Sequence, residues 1–155
     1  MNDLQEMIVQ GVKDLGAAEV KLAIVTGKPG SGKSKVLREL ADTQRWHYLD
    51  CKDLVTVADL KDVSEADKTD KAVEIMKNIF DNYREPVQLL DKMQSLFSPA
   101  LGLDMMQVMK KAAVNKPLVV AWPGYYENDH LNFKNEMTGA VTSYCVADVM
   151  LFQLG

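Results

Sequence analysis

The sequence predicts an α/β fold, a three-layer sandwich with helices on both faces of a sheet of about five mostly parallel strands. Three observations lead there. Short apolar runs ("KLAIVT", "HYLD", "PVQLLD", "LVVAW" and "ADVMLFQL") recur along the 155 residues. Segments with apolar residues at three- and four-residue steps separate them, and such alternation marks a parallel sheet covered by helices. The first run leads directly into "GKPGSGKS", Gly27 to Ser34, which fits the phosphate-cradling pattern G-x-x-x-x-G-K-[ST] between a strand and a helix.

In chain order, Leu4, Met7, Ile8, Val12 and Leu15 predict an amphipathic helix over about residues 3–16. Lys21 to Thr26 reads as a buried strand, Gly27 to Gly32 as a loop, and a helix begins near Lys33 with Val36, Leu37 and Leu40 inward. His47 to Asp50 is a second strand, and "CKDLVTVADLKDV" a loop with a short helix. Ser64 and Asp67 have the spacing of a capping box, after which Val73, Met76, Ile79, Phe80 and Tyr83 mark a helix to about Tyr83. Pro86 to Asp91 is the third strand, "SLFSPALGLD" a loop, and Asp104 to Ala113 a helix with Met105, Met106 and Met109 against the sheet. Asn115-Lys116-Pro117 ends that helix. Leu118 to Trp122 is the fourth strand, ended by Pro123-Gly124. Residues 125–138 are polar and turn-rich, a long connection for a compact domain. Ala147 to Leu154 is the last strand. No repeat or linker divides the chain, so residues 1–155 are expected to form one domain. Placing one strand between the loop-bearing strand and that of Asp91 gives the order 5-1-4-3-2, a P-loop NTPase-type sheet.

Composition narrows the function classes. Eighteen basic and twenty-two acidic side chains give a net charge of −4, which argues against a free-standing nucleic-acid binder. Direct DNA contact stays open only for a local patch or an assembled ring. No apolar run approaches the roughly twenty residues that span a bilayer, and the N-terminus lacks a signal-peptide pattern. The expected setting is cytoplasmic, away from membranes. Cys51 and Cys145 read as two buried small apolar residues in a reducing compartment. His47 and His130 are too isolated for a zinc site of ordinary spacing.

The loop carries the chemistry. Gly27, Gly30 and Gly32 let the backbone curl so that successive N–H groups converge on phosphate oxygens, backed by the positive end of the following helix. Lys28, Pro29, Ser31 and Lys35 complete the nucleotide-binding stretch. The Lys33 ammonium is placed for the β- and γ-phosphates of ATP, and the Ser34 hydroxyl for Mg²⁺. The second magnesium carboxylate is expected at a neighbouring strand end. Asp91, which follows Lys33 by 58 residues, is the candidate, and Asp50 is its rival. A base is missing beside it, because the next residue is Lys92. Glu127, Asp129 and His130 are alternatives for orienting water, and Tyr125, Tyr126 and Phe133 for stacking on a base. The three arginines are Arg38, Arg45 and Arg84, so a finger comes from Arg84, a neighbouring subunit or a partner. Trp122-Pro123 occupies the strand end where a polar γ-phosphate sensor is usual.

Three segments, "GKPGSGKSKVLREL", "LLDKMQSLFSPALGLDMMQVM" and "KPLVVAWPG", resemble the BrxF family, small P-loop proteins of type 3 BREX bacteriophage-defence systems. The resemblance covers about Lys21 to Leu154. It implies a bacterial cytoplasmic ATP-binding protein that acts with larger BREX components, including an ATPase, a methyltransferase and a phosphatase-like protein. Carried over by position, Gly27, Gly32, Lys33 and Ser34 hold phosphate and Mg²⁺, and Asp91 is the second magnesium carboxylate. The expected function is a weak or partner-activated ATPase whose nucleotide state controls homo-oligomeric or mixed assembly. The alternatives are a small-molecule or nucleotide kinase, for which three arginines are few, and a non-catalytic interaction module with a vestigial loop.

Overall fold

The computed structural model describes residues 3–154. Five parallel strands form the central sheet: β1 (Leu22–Thr26), β2 (His47–Asp50), β3 (Gln88–Asp91), β4 (Leu118–Ala121) and β8 (Met150–Gln153). Their order is β2-β3-β4-β1-β8, the expected 5-1-4-3-2 read from the other edge with β8 as the fifth strand. Between β4 and β8 lie β5 (Tyr125–Glu127), β6 (His130–Lys134) and β7 (Val141–Cys145), an antiparallel sheet of their own. The helices are α1 (Asp3–Leu15), α2 (Lys33–Gln44), α3 (Lys68–Asp81) and α4 (Met105–Ala112).

Side-chain alternation on β1 makes the layers. Ala23 and Val25 pack with Ile8 and Val12 of α1 and Leu37 and Leu40 of α2. Leu22 and Ile24 point the other way, into a core shared with Met76 and Phe80 of α3 and Met105 and Met109 of α4. A strand buried on both faces needs a continuous apolar run, which is why β1 and β4 are legible as unbroken stretches. Gln88 breaks its run and is nonetheless fully buried, its amide donating to the His47 carbonyl at 3.1 Å. Among the described residues, no helix is long and apolar enough to cross a membrane.

Several expectations need correction. Residues 125–138 are not a mere connection; with 141–145 they build the antiparallel sheet. Asn128 and Asp129, at φ 55° and 60°, form the two-residue turn between β5 and β6, the left-handed pair that suits hairpin twist. The "CKDLVTVADLKDV" stretch contains turns and no helix, whereas "MQSLF", Met93–Phe97, forms a 3-10 turn that overlaps the start of the expected loop. Ser64 does not make a capping box: its hydroxyl donates to the Asp67 carboxylate at 2.9 Å, and α3 starts at Lys68. Helix α4 is capped instead by Asp104, whose carboxylate accepts the Gln107 N–H at 3.2 Å. Met7 faces outward, 60% exposed, and Cys145 is exposed where burial was expected.

Candidate functional site

The site forms at the C-terminal ends of β1, β3 and β4, where parallel strands leave a crevice and where helix α2 begins. Gly30 and Gly32 adopt φ of 79° and 101°, values that side chains rarely tolerate, so the loop depends on glycine at both positions. A Cβ on Gly27 would meet the Ser31 hydroxyl at 2.5 Å. The Ser31 hydroxyl is itself buried and unpartnered among the described residues, a polar atom held in the cradle without a mate. The Lys33 ammonium donates to the Gly27 carbonyl at 2.8 Å. Burial lowers the Lys33 pKa, and the nearby Asp91 charge opposes that shift.

Asp91 lies at the end of β3, 4% exposed. Its Oδ2 accepts the Tyr48 hydroxyl at 2.5 Å and its Oδ1 the Lys92 N–H at 2.9 Å. Tyr48 stands on the adjacent β2, two register steps before the Asp50–Asp91 pair. The Arg38 guanidinium, from α2, lies 5.4 Å from the centre of the Tyr48 ring. Burial pushes the Tyr48 phenol above its ordinary value, and the bond to Asp91 adds to this. Asp50, the rival carboxylate, is exposed and turns away to accept the Lys52 N–H at 2.9 Å.

A cleft of about 520 Å³ joins these groups. Pro29, Gly30, Gly32, Lys33, Ser34 and Lys35 form one wall, and Asp91, Lys92 and Gln94 another. The end of β4 closes the floor, and Tyr125, Lys134 and Glu136 come from the antiparallel sheet. Four lysines (33, 35, 92 and 134) face two carboxylates (91 and 136), a surplus of two positive charges suited to a polyphosphate. Gly27, Lys28 and Ser31 belong to the same loop but line a separate hollow on its other side, with Tyr126 and Glu127.

Several candidates lie elsewhere. Trp122 borders the cleft but is 0% exposed, and its indole N–H is donated to the Asn132 carbonyl at 2.9 Å. It fastens the antiparallel sheet to the core and leaves no polar group toward a phosphate. Phe133 stacks on Phe97 with centroids 4.6 Å apart, so it is a packing residue. Asp129 and His130 sit at the β5–β6 turn, the former accepting the Tyr126 hydroxyl at 3.4 Å and the latter bonded to the Asn128 carbonyl. Arg84 precedes β3, at the end of that strand opposite Asp91, and cannot reach its own cleft. Arg45 is the left-handed residue that ends α2. His47 stacks on Tyr83 at the far end of the sheet. Among the described residues, no cluster of three or more His, Cys, Asp or Glu is placed to hold a metal.

Tyr48, Gln94, Lys134 and Glu136 are site residues that sequence reasoning missed. Tyr48 had the one available signal, a polar tip on a strand facing the strand of the candidate Asp. The other three reach the cleft through turns whose direction has no periodic signature.

The donor set fits a magnesium-bound triphosphate. Glycines hold the loop open for N–H groups, an ammonium and a hydroxyl open α2, and a buried carboxylate faces them. No family model matches the chain, and no curated protein does. Among solved structures the chain is similar to one described as the structure of C. elegans PCH-2, at 13% identity and a TM-score of 0.49, over 99% of this chain and 42% of that one. The chain thus spans less than half of that neighbour's length. The strand order, with the glycine loop between β1 and α2, is what makes this a P-loop fold.

Proposed function

We propose that this chain binds ATP with Mg²⁺ in the cleft between the Gly27–Ser34 loop and Asp91, and cleaves it slowly or with help from a partner. The observation that carries the reading is the meeting of the loop and Asp91 in one lysine-rich cleft. The loop N–H groups and Lys33 would hold the phosphates, with Lys35 and Lys92 adding positive charge at the walls. Ser34 and Asp91 would hold the metal, which when bound offsets charge on the phosphate oxygens. Tyr48 fixes the Asp91 carboxylate in place, and Arg38 covers Tyr48 from the loop's own helix.

The nucleotide state then controls assembly, with further copies and with larger components of a type 3 BREX defence system. That part rests on the three segments that resemble BrxF. A slow or assisted reaction follows from the missing arginine: none lines the cleft among the described residues, and Arg84 precedes β3, at the end opposite Asp91.

The test is ATP·Mg²⁺ binding by calorimetry and thermal shift for the wild type and Lys33→Ala. At a hundred times its Kd, the nucleotide should add about 2.7 kcal/mol of stability to the wild type. Lys33→Ala should lose most of this gain. Equal affinity in the two proteins would overturn the assignment.

A further inference from the structure

We propose that Glu136, on the turn between β6 and β7, is the general base for ATP cleavage in this cleft, with Lys134 beside it for the terminal phosphate. The proposal rests on the ATP reading above and names the group that the core strand ends lack. After Asp91 comes Lys92, which cannot accept a proton while charged. After β4 comes Trp122, whose N–H is already spent on Asn132, and then Pro123.

Two carboxylates line the cleft, and their surroundings separate their roles. Asp91 is buried, and both its oxygens already accept hydrogen bonds, from Tyr48 and from the Lys92 N–H. With both oxygens engaged, Asp91 is placed to hold a cation and not to take a proton from water. Glu136 is exposed, and nothing among the described residues pairs with its side chain. Lys134 is exposed and unpaired in the same sense. Lys134 and Glu136 line the same cleft as Lys33 and Asp91, the two residues that in the ATP reading would take the γ-phosphate and the metal.

The turn that carries Glu136 is pinned. The Asn135 side-chain oxygen accepts the N–H groups of Met137 at 2.9 Å and Thr138 at 3.2 Å. The backbone closes it with Asn135 N–H to the Ala140 carbonyl at 2.8 Å and Gly139 N–H to the Asn135 carbonyl at 2.7 Å. Its root is fixed by Phe133 stacked on Phe97, and Phe97 ends the same 3-10 turn that brings Gln94 to the cleft. The turn backbone that carries Glu136 is therefore fixed, and Glu136 shares the cleft with Asp91, Lys92 and Gln94.

In the step, the water oxygen bonds to the γ-phosphorus while its proton passes to the Glu136 carboxylate. The bond between the γ-phosphorus and the β–γ bridging oxygen breaks, and its electron pair leaves on ADP. Glu136 then releases the proton to solvent. The Lys134 ammonium offsets charge on the γ-phosphate oxygens.

The test compares wild type, Glu136→Gln, Lys134→Ala and, as a control at an exposed position of α3 away from the cleft, Glu74→Gln. ATP·Mg²⁺ binding is measured by calorimetry and cleavage by single turnover with labelled ATP. Glu136→Gln should bind ATP within about threefold of wild type and cleave it at least about a hundredfold more slowly. Lys134→Ala should cleave more slowly with weaker binding, and Glu74→Gln should match wild type in both. A smaller loss in Glu136→Gln overturns the proposal, as does a wild type that binds ATP and never cleaves it. A wild type that does not bind ATP overturns the nucleotide reading itself.

Discussion

Asp91 carries a charge to a position almost without solvent, and two neighbours make that tolerable. The Tyr48 hydroxyl and the Lys92 N–H each donate to one of its oxygens. Lys33 is the reverse case, an ammonium partly stripped of water with only a neutral carbonyl as partner. Its pKa is lowered from 10.5, first by burial, with Asp91 pulling the other way. Phosphate oxygens favour the charged form, so the pKa of Lys33 is higher with nucleotide bound than without. By linkage, ATP affinity is level below the lowered pKa and falls as pH rises through it. We expect proton uptake on binding and a steady loss of affinity toward pH of about 10.5, measured by calorimetry in two buffers of different ionisation enthalpy. A Lys33→Arg protein should show no such loss, since arginine stays charged. A flat wild-type profile would mean that Lys33 does not touch the phosphates. The cysteines also separate at this scale: burial pushes the Cys51 thiol up to about 12, while Cys145 is exposed.

The antiparallel sheet is the element that changes the reading most. It hangs from the core by the Trp122 indole, by Phe97 against Phe133, and by the edge contact of Tyr144 with Trp122, 5.5 Å between centroids. Gly124 is the point of closest approach, where a Cβ would fall 1.8 Å from the Asn132 carbonyl oxygen. Gly124→Ala should therefore force β6 away from the end of β4 and cost about 3 kcal/mol or more, measured by urea unfolding. Because Lys134 lies at the end of β6, the same change should weaken ATP binding. Unchanged stability would show that the two backbones are not packed as described. This element was hidden in the sequence for a physical reason. Its strands run three to five residues, one face is polar, and the apolar residues Leu131, Phe133 and Tyr144 meet partners remote along the chain. Only the Asn128-Asp129 turn signalled a hairpin. By contrast, α2 and the strands of the central sheet had periodic or continuous apolar patterns, which local sequence specifies strongly.

The whole molecule has a net charge of −4, yet its cleft is basic. Local attraction in a confined site suits a small polyanion, while the overall acidity repels a long one such as duplex DNA. If nucleotide state governs self-assembly, light scattering should give the 17.3 kDa monomer mass without ATP·Mg²⁺ and a multiple of it with the nucleotide. Lys33→Ala should stay at one mass under both conditions. Identical wild-type masses across concentration would remove self-assembly from the proposal. By itself the sequence determined the α/β class, the strand order, the Gly27–Ser34 stretch and the pair of strand-end carboxylates to choose from, because each is written in contiguous residues or in a strand's own end. Tertiary structure alone decided between Asp91 and Asp50, brought Tyr48 to the carboxylate, buried Trp122, and delivered Lys134 and Glu136 to the cleft. Those outcomes depend on which turns fold back and what they pack against, and such contacts join residues far apart in the chain, leaving no local pattern to read.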